Sequence, residues 1–320
     1  MKLFCTRFAD IFFLLRPVLL IPVWAVLFLA AITGAPLPLF SGIREITPEF
    51  WYLFFSFSAV AAAIFVLNQI RDIEGDRENN KLFLLPHGHI SLFTAWVVLL
   101  VSTGISLLVS ALFVGSFAMG CIFFCLLLGY AYNMPPFSLK DRPVGGLVAN
   151  FLGHGILTYY IGWYGMQYGE FDSVLMGFVY AIPAGFANAA VYAVSTIVDM
   201  DGDARAGKTT LAVKYGERST VWVGFSLVLC SFGTSFLLPH NAVVMIATAG
   251  VSVLVFISLL IRYSRQRVFS AFRWPVAFLS ICITLYIPFY ALLVAGVVLC
   301  SRVYYKHRFS LCYPAFGRER

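Results

Sequence analysis

Nine stretches of this chain each run for about 20 residues with almost no charge, at roughly 17–33, 51–70, 92–114, 117–134, 145–165, 173–198, 219–238, 242–261 and 274–300. A run of that length matches the hydrocarbon thickness of a bilayer. There every backbone N–H and C=O must find its partner within the protein, a demand met only by helices and closed barrels. The runs lack the alternation of barrel strands. The expectation is therefore an all-α membrane protein, a bundle of nine transmembrane helices around a central cavity, with residues 1–320 forming a single domain. Composition agrees: 61% of the residues are hydrophobic and only 12% charged, about half the charge of an ordinary soluble domain. A soluble enzyme and a disordered chain are excluded. The net charge of +7 is spread over the whole apolar chain rather than gathered in a basic domain, so no nucleic-acid partner is expected. No protein partner is implied either; the surroundings are the lipid bilayer.

The basic residues report topology. Lys2, Arg7 and Arg16 lie at the amino-terminal end of the first run. Arg71, Arg77 and Lys81 follow the second, Lys140 and Arg142 the fourth, Arg205, Lys208, Lys214 and Arg218 the sixth, and Arg262, Arg265, Arg267 and Arg273 the eighth. With nine spans all of these share one face and only Arg44 falls on the other. The positive-inside rule then makes the amino terminus and these loops cytoplasmic, in a multi-pass protein of the plasma membrane if the source is bacterial. The tail resists this assignment. Arg302, Lys306, Arg308, Arg318 and Arg320 would lie outside unless residues 268–300 form more than one simple span.

The acids carry the functional information. Seven of the 15 fall in two short segments, Asp72-Ile-Glu-Gly-Asp-Arg-Glu78 and Asp199-Met-Asp-Gly-Asp203, each closing an apolar run on the basic face. Ionisable groups at membrane depth are costly and usually functional. Asn68, Asp72 and Asp76 recur every four residues, and Asp199 and Asp203 repeat the interval, which places each set on one side of a helix. Glu74 and Asp201 point elsewhere and read as solvated. Carboxylates brought together from two helices suit hard divalent cations, and Mg²⁺ takes one or two carboxylates while leaving its other positions to water and substrate phosphates. Two such ions facing each other would hold a diphosphate and neutralise it as it leaves. Basic groups on the same face, Arg71, Lys140, Arg142 and Lys208, are placed to reach phosphate oxygens. Tyr132, Asn150 and His154 are candidates for a pocket wall that orients a second substrate; hydrogen bonding between helices is the plainer reading of the two polar residues in the fifth run.

With these residues in view, the chain resembles the UbiA superfamily of intramembrane prenyltransferases along nearly its whole length. Asn68-Gln-Ile-Arg-Asp72-Ile-Glu-Gly-Asp76 looks like that superfamily's first motif, Asn-Asp-x-x-Asp-x-x-x-Asp. Asp199-Met-Asp-Gly-Asp203, with Gly207 and Thr210-Leu211 after it, looks like the second, and Arg16-Pro17 and Tyr132…Lys140 also recur. The resemblance implies transfer of a prenyl chain from its diphosphate to a lipophilic acceptor, aromatic or an isoprenoid lipid. Mg²⁺, expected as two ions, would be held by Asn68, Asp72, Asp76, Asp199 and Asp203, with the four acids as catalytic residues. Two departures stand out. Gln69 occupies the place of the superfamily's first Asp, which would remove one metal carboxylate, and Leu84-Leu85-Pro86 replaces the usual Arg-Pro. A terpene cyclase on the same scaffold is the alternative reading. A transporter is the weaker one, because these acids lie at helix ends whereas transporter sites sit near the bilayer midplane.

Overall fold

The computed structural model describes residues 2–78, 84–168 and 174–314. Lys81, Arg318 and Arg320 lie outside the described residues, as do the side chains of Lys2 and Glu78. A short amino-terminal helix, α1 (Lys2–Leu14), is followed by Arg16 in the left-handed region (φ 54°) and by Pro17 at the first position of α2 (Pro17–Gly34). The turn at Arg16 redirects the chain, and a proline there costs no hydrogen bond, since the first helical amides have no partner anyway. The second span, α3 (Pro48–Arg71), starts at Thr47, whose hydroxyl accepts the Phe50 amide. Ser91 caps α5 (Leu92–Phe113) in the same manner, and α6 (Ser116–Asn133) follows. The short α4 (Ile73–Glu78) lies between α3 and α5.

The fifth span is compound. Helix α7 (Pro143–Asn150) passes into a wider π-helical stretch, Phe151–Leu157, and then into α8 (Thr158–Met166). The remaining helices are α9 (Val174–Val198), the short α10 (Met200–Arg205), α11 (Leu211–Thr234), α12 (Val243–Ile261), α13 (Arg265–Tyr286) and α14 (Pro288–Phe309).

Among the described residues, ten helices are long and apolar enough to cross a membrane, one more than expected. The stretch expected as a single span at 274–300 is divided between α13 and α14. Ile287, with φ −130° and ψ 86°, leaves the helical region because Pro288 follows it. An even number of spans returns the tail to the face of α1, which removes the charge conflict. There the buried Asp10 accepts hydrogen bonds from the Tyr304 hydroxyl at 2.6 Å and the Arg308 guanidinium at 3.2 Å, and Phe13 stacks on Tyr304.

Helix α2 is buried along almost all of its length and forms the centre of the bundle. Helices α5 and α14 lie at the rim and turn Phe93, Leu100, Leu112, Leu292 and Leu299 outward, as lipid permits. Several polar side chains inside the bundle are paired across helices: Trp24 donates to Ser58 at 2.8 Å, Thr33 bonds Tyr159 at 2.6 Å, and Ser56 and Ser106 each donate to the other's carbonyl. A close crossing joins the π stretch to α9, where a methyl added at Gly155 would overlap the Gly185 backbone.

Candidate active site

The two acidic motifs are built by one device used twice. A long span ends, an aspartate leaves helical geometry, and a short helix then resumes the register. Asp72 ends α3 with φ −101° and ψ 14°, and Asp199 ends α9 with φ −95° and ψ 1°. Four residues on, the Asp76 amide donates to the Asp72 carbonyl and the Asp203 amide to the Asp199 carbonyl, both at 2.8 Å.

The motifs face each other across a cavity of about 530 Å³ lined by Asn68, Asp72, Lys140, Asp199, Asp203 and Lys208. An outer compartment of about 700 Å³ adds Arg71 and Asp76. On the inner side an arm of about 220 Å³ runs between α3, α6 and the π stretch. It shares Phe65, Asn68, Tyr132, Asn150 and His154 with the main cavity and continues to Phe57, Ala61 and Leu128. The expected site residues are therefore brought together, with Arg71 and Asp76 at the outer edge. Arg142 is not among them; it donates to the Pro136 carbonyl at 3.0 Å and serves its own loop.

At the centre, Lys140 Nζ lies 2.7 Å from both carboxylate oxygens of Asp72. Asp72 also accepts from Asn68 Nδ2 at 3.1 Å, and the same amide donates to Asn133 Oδ1 at 2.8 Å. Lys208 Nζ is 3.9 Å from Asp72 and 3.8 Å from Asp203. Burial pulls the Lys140 ammonium below its ordinary range, with Asp72 opposing, so this proton is loosely held for a lysine. Burial pushes the Asp203 carboxyl above the carboxylate range, with Lys208 opposing and Asp199 and Asp141 reinforcing. Asp201 is exposed to solvent, as expected, and is ion-paired there. It accepts from Arg265 at 2.9 Å, and that guanidinium holds its carboxyl below the usual range.

The donor set suits a hard cation, because the converging groups are carboxylates and one side-chain amide. Among the described residues no three His, Cys, Asp or Glu side chains close on one point. An ion that draws most of its ligands from water and phosphate needs no such cage.

Position 69 departs from expectation. Gln69 is buried on the far side of α3, where its Nε2 donates to the Leu14 carbonyl at 2.8 Å and the Phe65 carbonyl at 3.2 Å. The residue lies outside the cavity, so Gln in place of Asp removes no ligand from it; it ties the first motif to the end of α1. Gln69→Asp should therefore cost about 1–3 kcal/mol in stability by setting a carboxylate against carbonyl oxygens, read as a lowered melting temperature. A gain in Mg²⁺ affinity would contradict this placement. Leu84 and Leu85 are likewise packed in an apolar cluster with Phe13 and Leu67, and Arg77 donates to the Pro86 carbonyl at 2.8 Å.

Further lining residues stand outside the motifs that the sequence marks, three of them polar groups close to the acids. Tyr192 and Ser195 lie on α9 with Asn188 and Asp199 at spacings of four, three and four, a helical stripe that the sequence does display. Tyr192 reaches the cavity because Gly146 has no side chain to block it. Asp141 carries no comparable signal, since its place depends on a loop.

The UbiA prenyltransferase family model matches residues 19–282. The chain is 28% identical over 211 residues to a probable homogentisate phytyltransferase 2 of Oryza sativa subsp. japonica, covering 60% of this chain and 54% of that protein. It is 32% identical over 190 residues to the digeranylgeranylglyceryl phosphate synthase of Sulfolobus acidocaldarius, covering 58% of this chain and 64% of that one. These matches thus span between about half and two thirds of those relatives' lengths. The solved structure of a UbiA homolog from Archaeoglobus fulgidus bound to GPP and Mg²⁺ has the same fold, with a TM-score of 0.65 at 19% identity over 87% of this chain and 99% of that chain. From the family match over most of its length, this multi-pass membrane protein belongs to the UbiA prenyltransferase family.

Proposed function

We propose that the chain is an Mg²⁺-dependent intramembrane prenyltransferase, which moves a prenyl chain from a prenyl diphosphate to a lipophilic acceptor and releases diphosphate. The observation that carries this reading is that one ammonium, Lys208, lies within 4 Å of both motifs, 3.9 Å from Asp72 and 3.8 Å from Asp203. Two anionic helix ends and two lysines that converge above an apolar arm form a place for a polyanion with a hydrocarbon tail. The names of relatives that act on prenyl groups, and the GPP and Mg²⁺ bound to the A. fulgidus homolog, support it.

Asn68, Asp72 and Asp76 would hold Mg²⁺ on one side and Asp199 and Asp203 on the other. Bound there, Mg²⁺ supplies charge neutralisation for the departing diphosphate. Lys140 and Lys208, with Arg71 at the outer edge, donate charge-assisted hydrogen bonds to its oxygens. The allylic carbon–oxygen bond breaks and its electron pair leaves with the diphosphate. The apolar walls keep water from the allylic cation until the acceptor's electron pair closes the new bond, after which the acceptor gives up a proton. Tyr132, Asn150 and His154, on the wall shared by the main cavity and its arm, orient that acceptor. The amino terminus and the acidic motifs belong on the cytoplasmic face, because the basic loops gather there.

The test is mass spectrometry of purified protein incubated with Mg²⁺, geranyl to geranylgeranyl diphosphate, and a membrane lipid extract. A prenylated lipophilic product is expected. A cyclised hydrocarbon formed without acceptor would instead make the protein a cyclase, and no product at all would defeat the reading.

A further inference from the structure

Between the two motifs lies an acid that belongs to neither. Asp141 ends a single 3₁₀ turn, Leu139–Asp141, in the loop after α6. Its carbonyl accepts the Thr209 amide at 3.0 Å, which ties this loop to the segment that follows the second motif. Neighbours in the chain thus serve the cavity in different ways: Lys140 binds Asp72, while Asp141 turns its carboxylate toward Lys208. Asp141 Oδ1 is shielded from solvent, accepts no hydrogen bond among the described residues, and lies 3.9 Å from Lys208 Nζ. The Lys208 ammonium therefore stands among three carboxylates at nearly equal distance, 3.9 Å from Asp72, 3.9 Å from Asp141 and 3.8 Å from Asp203.

We propose that Asp141 is a positioning residue for Lys208, keeping its ammonium over the gap between the motifs when Asp72 and Asp203 are engaged with cations and diphosphate. This rests on the reading of the cavity as a diphosphate site. Lysine carries its charge on a flexible four-carbon stem, so its place is set by the anions around it. Cations at Asp72 and Asp203 would take two of its three partners and repel it as a like charge. Asp141 is the remaining carboxylate of the three, and the Thr209 amide fixes its backbone. Without it, Lys208, which is already 30% exposed, is free to swing into the outer compartment. Asp141 acts through Lys208 and touches no reacting atom.

The test is a double-mutant cycle on the purified full-length chain, read by calorimetric binding of inorganic diphosphate in the presence of Mg²⁺. Asp141→Asn should weaken diphosphate binding about tenfold, the worth of one charge-assisted contact, and Asp141→Glu should restore most of it. In a Lys208→Met background Asp141→Asn should have almost no further effect. With prenyl diphosphate as substrate, Asp141→Asn should raise KM and leave kcat within about twofold, since the group acts on ground-state and transition-state binding alike. The melting temperature of Asp141→Asn separates a folding defect from a positioning one. Unchanged diphosphate affinity in Asp141→Asn, or a full additional loss in the double variant, would overturn the proposal. A wild-type protein that binds diphosphate but consumes no prenyl diphosphate would defeat the transfer reading alone, because the binding cycle still scores Asp141. A wild-type protein with no affinity for diphosphate would overturn both.

Discussion

Asp72→Ala is expected to lower prenyl transfer by roughly a thousandfold or more while the bundle stays folded. Asp72 has two duties in the cavity. Its carboxylate is a candidate cation ligand, and it is also the counter-charge of Lys140, which is 8% exposed and binds both of its oxygens at 2.7 Å. Alanine removes the first and takes from the buried lysine the carboxylate that binds it directly. The ammonium then loses the group that orients it, and with it the position from which it would reach phosphate. Asp72→Asn keeps the shape but not the charge, so it should lose nearly as much activity. Asp203→Ala should behave like Asp72→Ala, because Asp203 holds the matching position of the second motif. Folding should survive in each case: Asp72 is 25% exposed, and the contacts that set α3 lie deeper, around Phe54, Phe57 and Val60. Melting temperatures near that of wild type, beside lost turnover, are the expected pair of results.

The largest expected effect on stability is at a glycine. Gly155→Ala should cost about 3 kcal/mol or more and lower the melting temperature sharply in detergent. A methyl there would overlap the Gly185 Cα and crowd the Ala184 carbonyl, and backbone cannot rotate aside as a side chain can. Gly153, two residues earlier on the same π stretch, is the internal control. A methyl at Gly153 meets only the Leu128 side chain at 3.4 Å, so Gly153→Ala should stay within about 0.5 kcal/mol of wild type. Equal melting temperatures for the two variants would show that the α9 crossing is looser than the packing indicates. The crossing also bears on the site. It sets the spacing between the π stretch, which carries His154, and α9, which carries Tyr192 and leads into Asp199.

Much of this arrangement is legible in the amino-acid sequence. Spans are written plainly there because a bilayer demands long uncharged runs, and the motifs stand out because charge is scarce. The tenth span is hidden for a physical reason. The turn Tyr286-Ile287-Pro288 carries no charge, so the apolar run continues through it, and only the basic tail hints at an extra crossing. Gln69 invites a misreading as a lost ligand, although helix arithmetic speaks against a place in the cavity. One residue on from Asn68 is about 100° around the helix, which turns position 69 away from Asp72 and toward α1. Asp141 and Asn133 cannot be found by spacing. Their roles depend on how the loop after α6 meets the segment after α10, and on the amide pairing between α3 and α6. The ion pair of Asp201 with Arg265 is equally a matter of distant chain segments meeting.

The central claim is that the two motifs act together on a prenyl diphosphate inside the membrane. It is tested most directly by diphosphate release from geranylgeranyl diphosphate by the full chain reconstituted in lipid vesicles, with Mg²⁺ or with chelator, and with or without a lipid-extract acceptor. The account predicts release that requires Mg²⁺ and acceptor together and that vanishes in Asp72→Ala and in Asp203→Ala alike. Release that persists in either variant, or none from wild type across the prenyl diphosphate series, would contradict it.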